Sequence, residues 1–89
     1  MLSQCILEWG SQGEDVKEIQ QILLNMGYDL GEMGVDGKFG PKTEAAVKNF
    51  QGDINLQYPE ATVIIDGQVS PQTWFFLKKA NPKFETTSP

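Results

Sequence analysis

Apolar residues in the first third of the chain recur with helical spacing. Val16, Ile19, Ile22, Leu23 and Met26 follow the i, i+3, i+4, i+7 pattern of one helix face, which predicts a helix over residues 15–26. Asp15 or Glu14 stands where an N-cap or first-turn acid favours the helix dipole. Gly27 follows the last periodic position, as a left-handed C-cap commonly does. The pattern then breaks. Residues 27–37 hold four glycines and cannot sustain a helix, and Asp36-Gly37 is a turn signal.

Gly40-Pro41 opens a second helix, with Gly40 at the N-cap and Pro41 at the first helical position, where a missing N–H costs nothing. Ala46, Val47 and Phe50 form its apolar stripe, with Thr43 near the same face, and Gln51-Gly52 is expected to end it. Residues 53–69 read as irregular. Val63, Ile64 and Ile65 suit a short extended stretch, and Tyr58-Pro59 opposes a helix there. Ser70-Pro71 repeats the cap-plus-proline signal and predicts a third helix to Ala80, with Trp74 and Leu77 facing the core and at least one of Phe75 and Phe76 partly exposed. Asn81-Pro82 stops it. The expected division is one domain over residues 1–80 and a tail or linker over 81–89.

Both later helices are launched by the same element. Asp36-Gly37-Lys38-Phe39-Gly40-Pro41-Lys42-Thr43 aligns with Asp66-Gly67-Gln68-Val69-Ser70-Pro71-Gln72-Thr73. Asp, Gly, Pro and Thr are identical at fixed offsets, and the apolar position before the cap is kept as Phe39 and Val69. Its physical logic is a turn, an apolar anchor, a cap and a helix start. The Asp carboxylate is suited to accept from backbone N–H groups of the turn, and from the Thr hydroxyl one helical turn on. A framing role accounts for every residue in the element. A functional role is compatible with it: two helix N-termini lining a shared groove, each offering unpaired N–H groups to a carboxylate.

Composition narrows the chemistry. The chain has 89 residues and a net charge of −5, with seven Lys and Arg in no cluster. That charge opposes nucleic acid and anionic membranes as partners and leaves cationic or zwitterionic ligands open. There is no histidine and only Cys5. Most zinc sites, Ser-His-Asp or Cys-His catalysis and an internal disulfide are therefore excluded. Cys5 reads as a small hydrophobe beside the first packed segment. The Asp-Gly loops lack the alternating acidic ligands of an EF-hand, so no metal and no cofactor are expected. No run approaches the length of a membrane span. Residues 1–9 do not resemble a signal peptide, which leaves a piece of a larger exported protein, another export route, a phage-associated location or retention in the cytoplasm.

In its repeat and its helix patterns the chain resembles the three-helix peptidoglycan-binding domain of bacterial and phage cell-wall hydrolases. The residues that carry the likeness are Gly13, Val16, Ile19-Gln20, Leu23, Gly27-Tyr28, the first repeat through Thr43, Ala46-Val47 and Phe50-Gln51, then Ile65-Asp66-Gly67, Pro71, Thr73-Trp74 and Leu77. The resemblance implies an all-α, compact three-helix bundle with two Asp-Gly loops. It also implies a non-catalytic module that holds an associated hydrolase or complex at the cell wall, through the peptidoglycan stem peptide and adjoining sugar. The chain departs from the family pattern at Glu32-Met33, which extend the first loop, at residues 57–62, which lengthen the second connection, and at Ser70, which replaces a glycine.

The candidate ligand-binding set is Tyr28, Asp36, Gly37, Lys38, Phe39 and Thr43 around the first repeat, with Asp66, Gln68 and Thr73 around the second. Tyr28, Trp9 and one of Phe75 and Phe76 are candidate stacking surfaces for sugar or stem. The alternative function is a protein-interaction or assembly module of a phage particle or secreted complex, with residues 57–62 and an exposed Phe as the contact. Glycoside hydrolysis by Asp36 and Asp66 is the third reading. It is the weakest, because both acids have adequate turn roles and so small a domain encloses substrate poorly.

Overall fold

In the computed structural model, which describes residues 6–80, three α-helices pack around one core: α1 (Glu14–Asn25), α2 (Pro41–Gln57) and α3 (Pro71–Ala80). A short 3-10 turn, Pro59–Ala61, follows α2. The predicted all-α three-helix bundle is the observed architecture. Residues 81–89, expected as a tail or linker, and Cys5 lie outside the described residues.

The first helix begins at Gly13, which occupies the N-cap with φ 126° and makes no side-chain cap. Glu14 and Asp15 lie in the first turn, so they act through the dipole and not as caps. At the other end Gly27 takes φ 94°. Its N–H reaches Leu24 O at 2.9 Å and the Tyr28 N–H reaches Leu23 O at 3.0 Å, which is the Schellman arrangement. Val16, Ile19, Ile22 and Leu23 are buried.

The second helix overruns its expected end at Gln51-Gly52 and continues to Gln57. A helical Gly costs only about 1 kcal/mol relative to Ala, and continuing the helix buries Ile54 one turn beyond Phe50. Asn55, on the added turn, clamps Val63 both ways: its Nδ2 donates to Val63 O at 2.8 Å and its Oδ1 accepts from Val63 N at 2.7 Å. Val63 is thereby buried while Ile64 and Ile65 stay exposed. Residues 63–65 form no strand. The helix runs through the expected irregular stretch as far as Gln57 and stops before Tyr58-Pro59, where a 3-10 turn takes over.

The third helix follows the sequence reading closely: Trp74 and Leu77 are buried and Phe75 is exposed. Phe76 is half-buried and stacks on Tyr58, with centroids 5.6 Å apart.

A strap formed by residues 7–13 crosses both repeats. Leu7 exchanges backbone hydrogen bonds with Val69 at 2.8 and 3.1 Å; Gly10 N donates to Phe39 O at 2.9 Å; Phe39 N donates to Ser11 O at 2.9 Å; and Gly13 N donates to Gly37 O at 3.0 Å. The two helix-launching turns are thus tied side by side by one short segment.

Candidate functional site

Each Asp-Gly turn is organised by a buried glutamine one helix upstream. Gln20 Nε2 lies within hydrogen-bond distance of Asp36 Oδ1 (3.1 Å), Lys38 O (3.1 Å) and Thr43 Oγ1 (3.0 Å). Its Oε1 accepts from the N–H groups of Asp36 (3.0 Å) and Gly37 (2.8 Å). Gln51 repeats the arrangement: Nε2 faces Asp66 Oδ1, Gln68 O and Thr73 Oγ1 at 3.1, 2.9 and 3.2 Å. Its Oε1 accepts from Gly67 N at 3.0 Å. In both turns the Asp carboxylate also accepts from the N–H two residues on, Lys38 at 3.0 Å and Gln68 at 2.9 Å. The Thr hydroxyl therefore meets the Gln amide, which takes the place expected of the Asp. Buried polar groups are costly unless paired, and each glutamine pairs several at once.

The first turn opens onto a cavity. A groove of about 510 Å³ lies between the loop of residues 30–34 and the start of α2, and Asp36, Lys38, Lys42 and Thr43 contribute to its lining. Leu30 is buried and Met33 is 73% exposed. Asp29 Oδ1 accepts from Gly31 N at 2.8 Å, which fixes the loop's entry. Gly31 holds φ 79°, and a Cβ there would stand 3.1 Å from Lys42 Cγ. The missing side chain lets the lysine stem cross the loop. Glu32, Lys38 and Lys42 form no close ion pair among the described residues; Lys38 nonetheless favours the charged form of Asp36, and the groove is lined by charge of both signs. The Lys38 N–H, followed by the Gln20 amide, holds the Asp36 carboxyl below its ordinary range. It is therefore a committed anion of the frame and a poor proton donor.

The nine candidate residues separate. Asp36, Lys38 and Thr43 line the groove, Thr43 from a buried position. Gly37 is buried under Lys17, and Phe39 belongs to the core at 2% exposure. Tyr28 stands apart: its hydroxyl donates to Asp53 and its ring meets Phe50 edge-on at 6.1 Å. Burial, then the bond to Asp53, push its phenol well above the ordinary range. Asp66, Gln68 and Thr73 do not line the groove. Gln68 instead donates to Glu8 Oε1 at 2.9 Å, and Thr73 is buried. The second turn contributes nothing to this groove, whose outer wall is the glycine-rich loop after α1. Sequence reasoning missed Lys42 as a lining residue and the organising role of Gln20 and Gln51. The signal was present: Val16-Lys17-x-Ile19-Gln20 matches Val47-Lys48-x-Phe50-Gln51, so the repeat extends a helix upstream.

Among the described residues no three His, Cys, Asp or Glu side chains gather as metal ligands, and no helix is long and apolar enough to cross a membrane.

Residues 12–77, from the strap through the last buried leucine, match the family described as "Putative peptidoglycan binding domain". The chain belongs to the peptidoglycan-binding domain family. Among curated relatives of this domain, the spike protein VgrG3 of the Vibrio cholerae type VI secretion system is 35% identical over 75 residues, covering 80% of this chain and 7% of that protein. The spore cortex-lytic enzyme of Bacillus cereus is 34% identical over 86 residues, covering 97% of this chain and 30% of the enzyme. In three dimensions the chain is similar to the SleB N-terminal domain, with TM-score 0.75 and 33% identity over 91% of this chain and 99% of that one. The chain thus corresponds to a small domain within much longer curated relatives.

Proposed function

We propose that this domain is a non-catalytic module that binds peptidoglycan and holds an associated cell-wall hydrolase or complex there, at the wall and outside the cytoplasm. The groove beside the first repeat carries the reading. Its volume suits a short peptide segment with an adjoining sugar, and its charged groups of both signs, Glu32 and Asp36 with Lys38 and Lys42, suit a stem peptide bearing amino and carboxylate groups. Net negative charge is compatible with such a zwitterion. A binding role also fits Asp36, whose proton affinity is lowered, the reverse of what a general acid needs.

The test is retention on purified sacculi. The domain is expected to co-sediment, and Lys42→Ala should weaken retention roughly tenfold by removing one charged contact. Unchanged sedimentation relative to an unrelated acidic protein would reject the reading. The second reading, an assembly module, has one observation in its favour, the similarity to a secretion spike protein. It would gain if sacculi failed to retain the chain while a partner from a secretion complex did.

A further inference from the structure

We infer that Trp9 is a second peptidoglycan contact, a platform on which one pyranose ring of the glycan strand stacks; the inference rests on the wall-binding reading above. The chain has two tryptophans. Trp74 is buried at 6% exposure, whereas Trp9 is 59% exposed. Indole is the largest apolar side chain and, with its N–H donor, is suited to a ligand that is apolar on one face and polar at its edges. A sugar ring has that chemistry.

Trp9 is presented by a pinned turn. Ser11 N donates to Glu8 O at 2.8 Å and Gly10 N to Phe39 O at 2.9 Å. Glu8 N donates to Ser11 Oγ at 3.1 Å. A ligand stacking there orders little new backbone, which lowers the entropic cost of binding. The turn also lies between the repeats, with Leu7 bonded to Val69 on one side and Gly10 to Phe39 on the other. Beside it the Gln68 amide and the Glu8 carboxylate form an exposed polar pair at 2.9 Å, the groups that hydroxyl and acetamido substituents of a sugar would meet.

The experiment uses glycan oligomers of alternating N-acetylglucosamine and N-acetylmuramic acid, stripped of stem peptides, with intrinsic tryptophan emission as readout. Trp74 is already shielded, so an emission shift with protection from acrylamide reports on Trp9. The shift is expected in the wild type and absent in Trp9→Ala. On intact sacculi Trp9→Ala should bind roughly three- to tenfold more weakly, Trp9→Tyr should recover most of the loss, and Phe75→Ala should match the wild type. Melting curves matching the wild type show that the variants are folded. An unchanged wild-type emission at saturating glycan, or wild-type retention of Trp9→Ala on sacculi, would overturn the inference and leave the groove reading standing. Shielding of Trp9 that grows with protein concentration in the absence of glycan would also overturn it, assigning the indole to contact between copies. Failure of the wild type itself on sacculi would overturn the wall-binding reading, and this inference with it.

Discussion

Around Asp36 the launching turn faces the loop of residues 30–34 across an open groove; around Asp66 the equivalent turn is crowded by α2. A Cβ on Gly67 would stand 2.7 Å from Glu44 Cγ and 3.2 Å from Lys48 Cε, while one on Gly37 would meet only the Lys17 stem at 3.2 Å among side chains. The hydrogen-bonding frames behind the two turns are nearly the same, down to the Gln, the Asp carboxylate and the Thr hydroxyl. What differs is the connection that precedes each. After α1 a glycine-rich loop swings out and forms a wall; after α2 the longer helix, a 3-10 turn and the Asn55–Val63 clamp hold the chain close. The duplicated motif is thus a folding device, and the loop before the first copy supplies the wall of its groove.

If the two frames are equivalent, their glutamines should matter equally, and this is the largest effect expected. Gln20→Ala would strand the N–H groups of Asp36 and Gly37 and the partners of its amide; Gln51→Ala would do the same around Gly67 and Thr73. Unpaired buried groups cost about 1–3 kcal/mol, so each variant should lose roughly 3 kcal/mol, a large part of the stability of a small domain. Urea unfolding of the two variants side by side would measure it. A loss at Gln51 under about 1 kcal/mol, with the full loss at Gln20, would break the equivalence.

The next effect separates the turns. Gly37 and Gly67 hold φ 77° and 78°, where any Cβ is strained by about 1–2 kcal/mol. Gly37→Ala should cost about that much, because the Lys17 methylenes can swing aside. Gly67→Ala should cost more, because its Cβ would stand 2.7 Å from Glu44 Cγ, well inside the 3.2 Å at which a Cβ on Gly37 meets Lys17 Cγ. Equal midpoints in thermal melts would mean that Glu44 rotates away and the second turn is less confined than its geometry indicates.

The two turns also divide what the sequence made legible. Helix starts were readable because Gly40-Pro41 and Ser70-Pro71 act locally, and both launch helices where expected. The end of α2 was not, because it depends on Ile54 reaching the core and Asn55 reaching Val63, which are tertiary gains no local signal encodes. The candidate site was legible in place but not in composition. Asp36 and Lys38 line the groove, yet Phe39 was drawn into the core by its own apolar character and Tyr28 was claimed by Asp53. Lys42 went unnoticed because its position depends on the chain folding back at Gly31.

The smallest effect tests how far the groove-side carboxylate serves the frame. The Asp36 pKa lies below its ordinary value of 3.8, chiefly through the Lys38 N–H and then the Gln20 amide. A depressed folded-state pKa means that the unfolded chain binds the proton more readily. The stabilisation is therefore present above the unfolded value and is lost as pH falls through the folded one. Asp36→Asn keeps an oxygen for Lys38 N–H and removes the titration. Between pH 5 and pH 2 the melting temperature of the wild type should fall more steeply than that of Asp36→Asn, the curves converging at the acid end. Other carboxylates titrate in both proteins, so the difference in slope isolates Asp36. The effect is modest because the group is open to solvent on the groove side. Parallel curves would mean that the turn holds the carboxylate no better than water does, leaving Gln20 and Thr43 to carry the frame unaided.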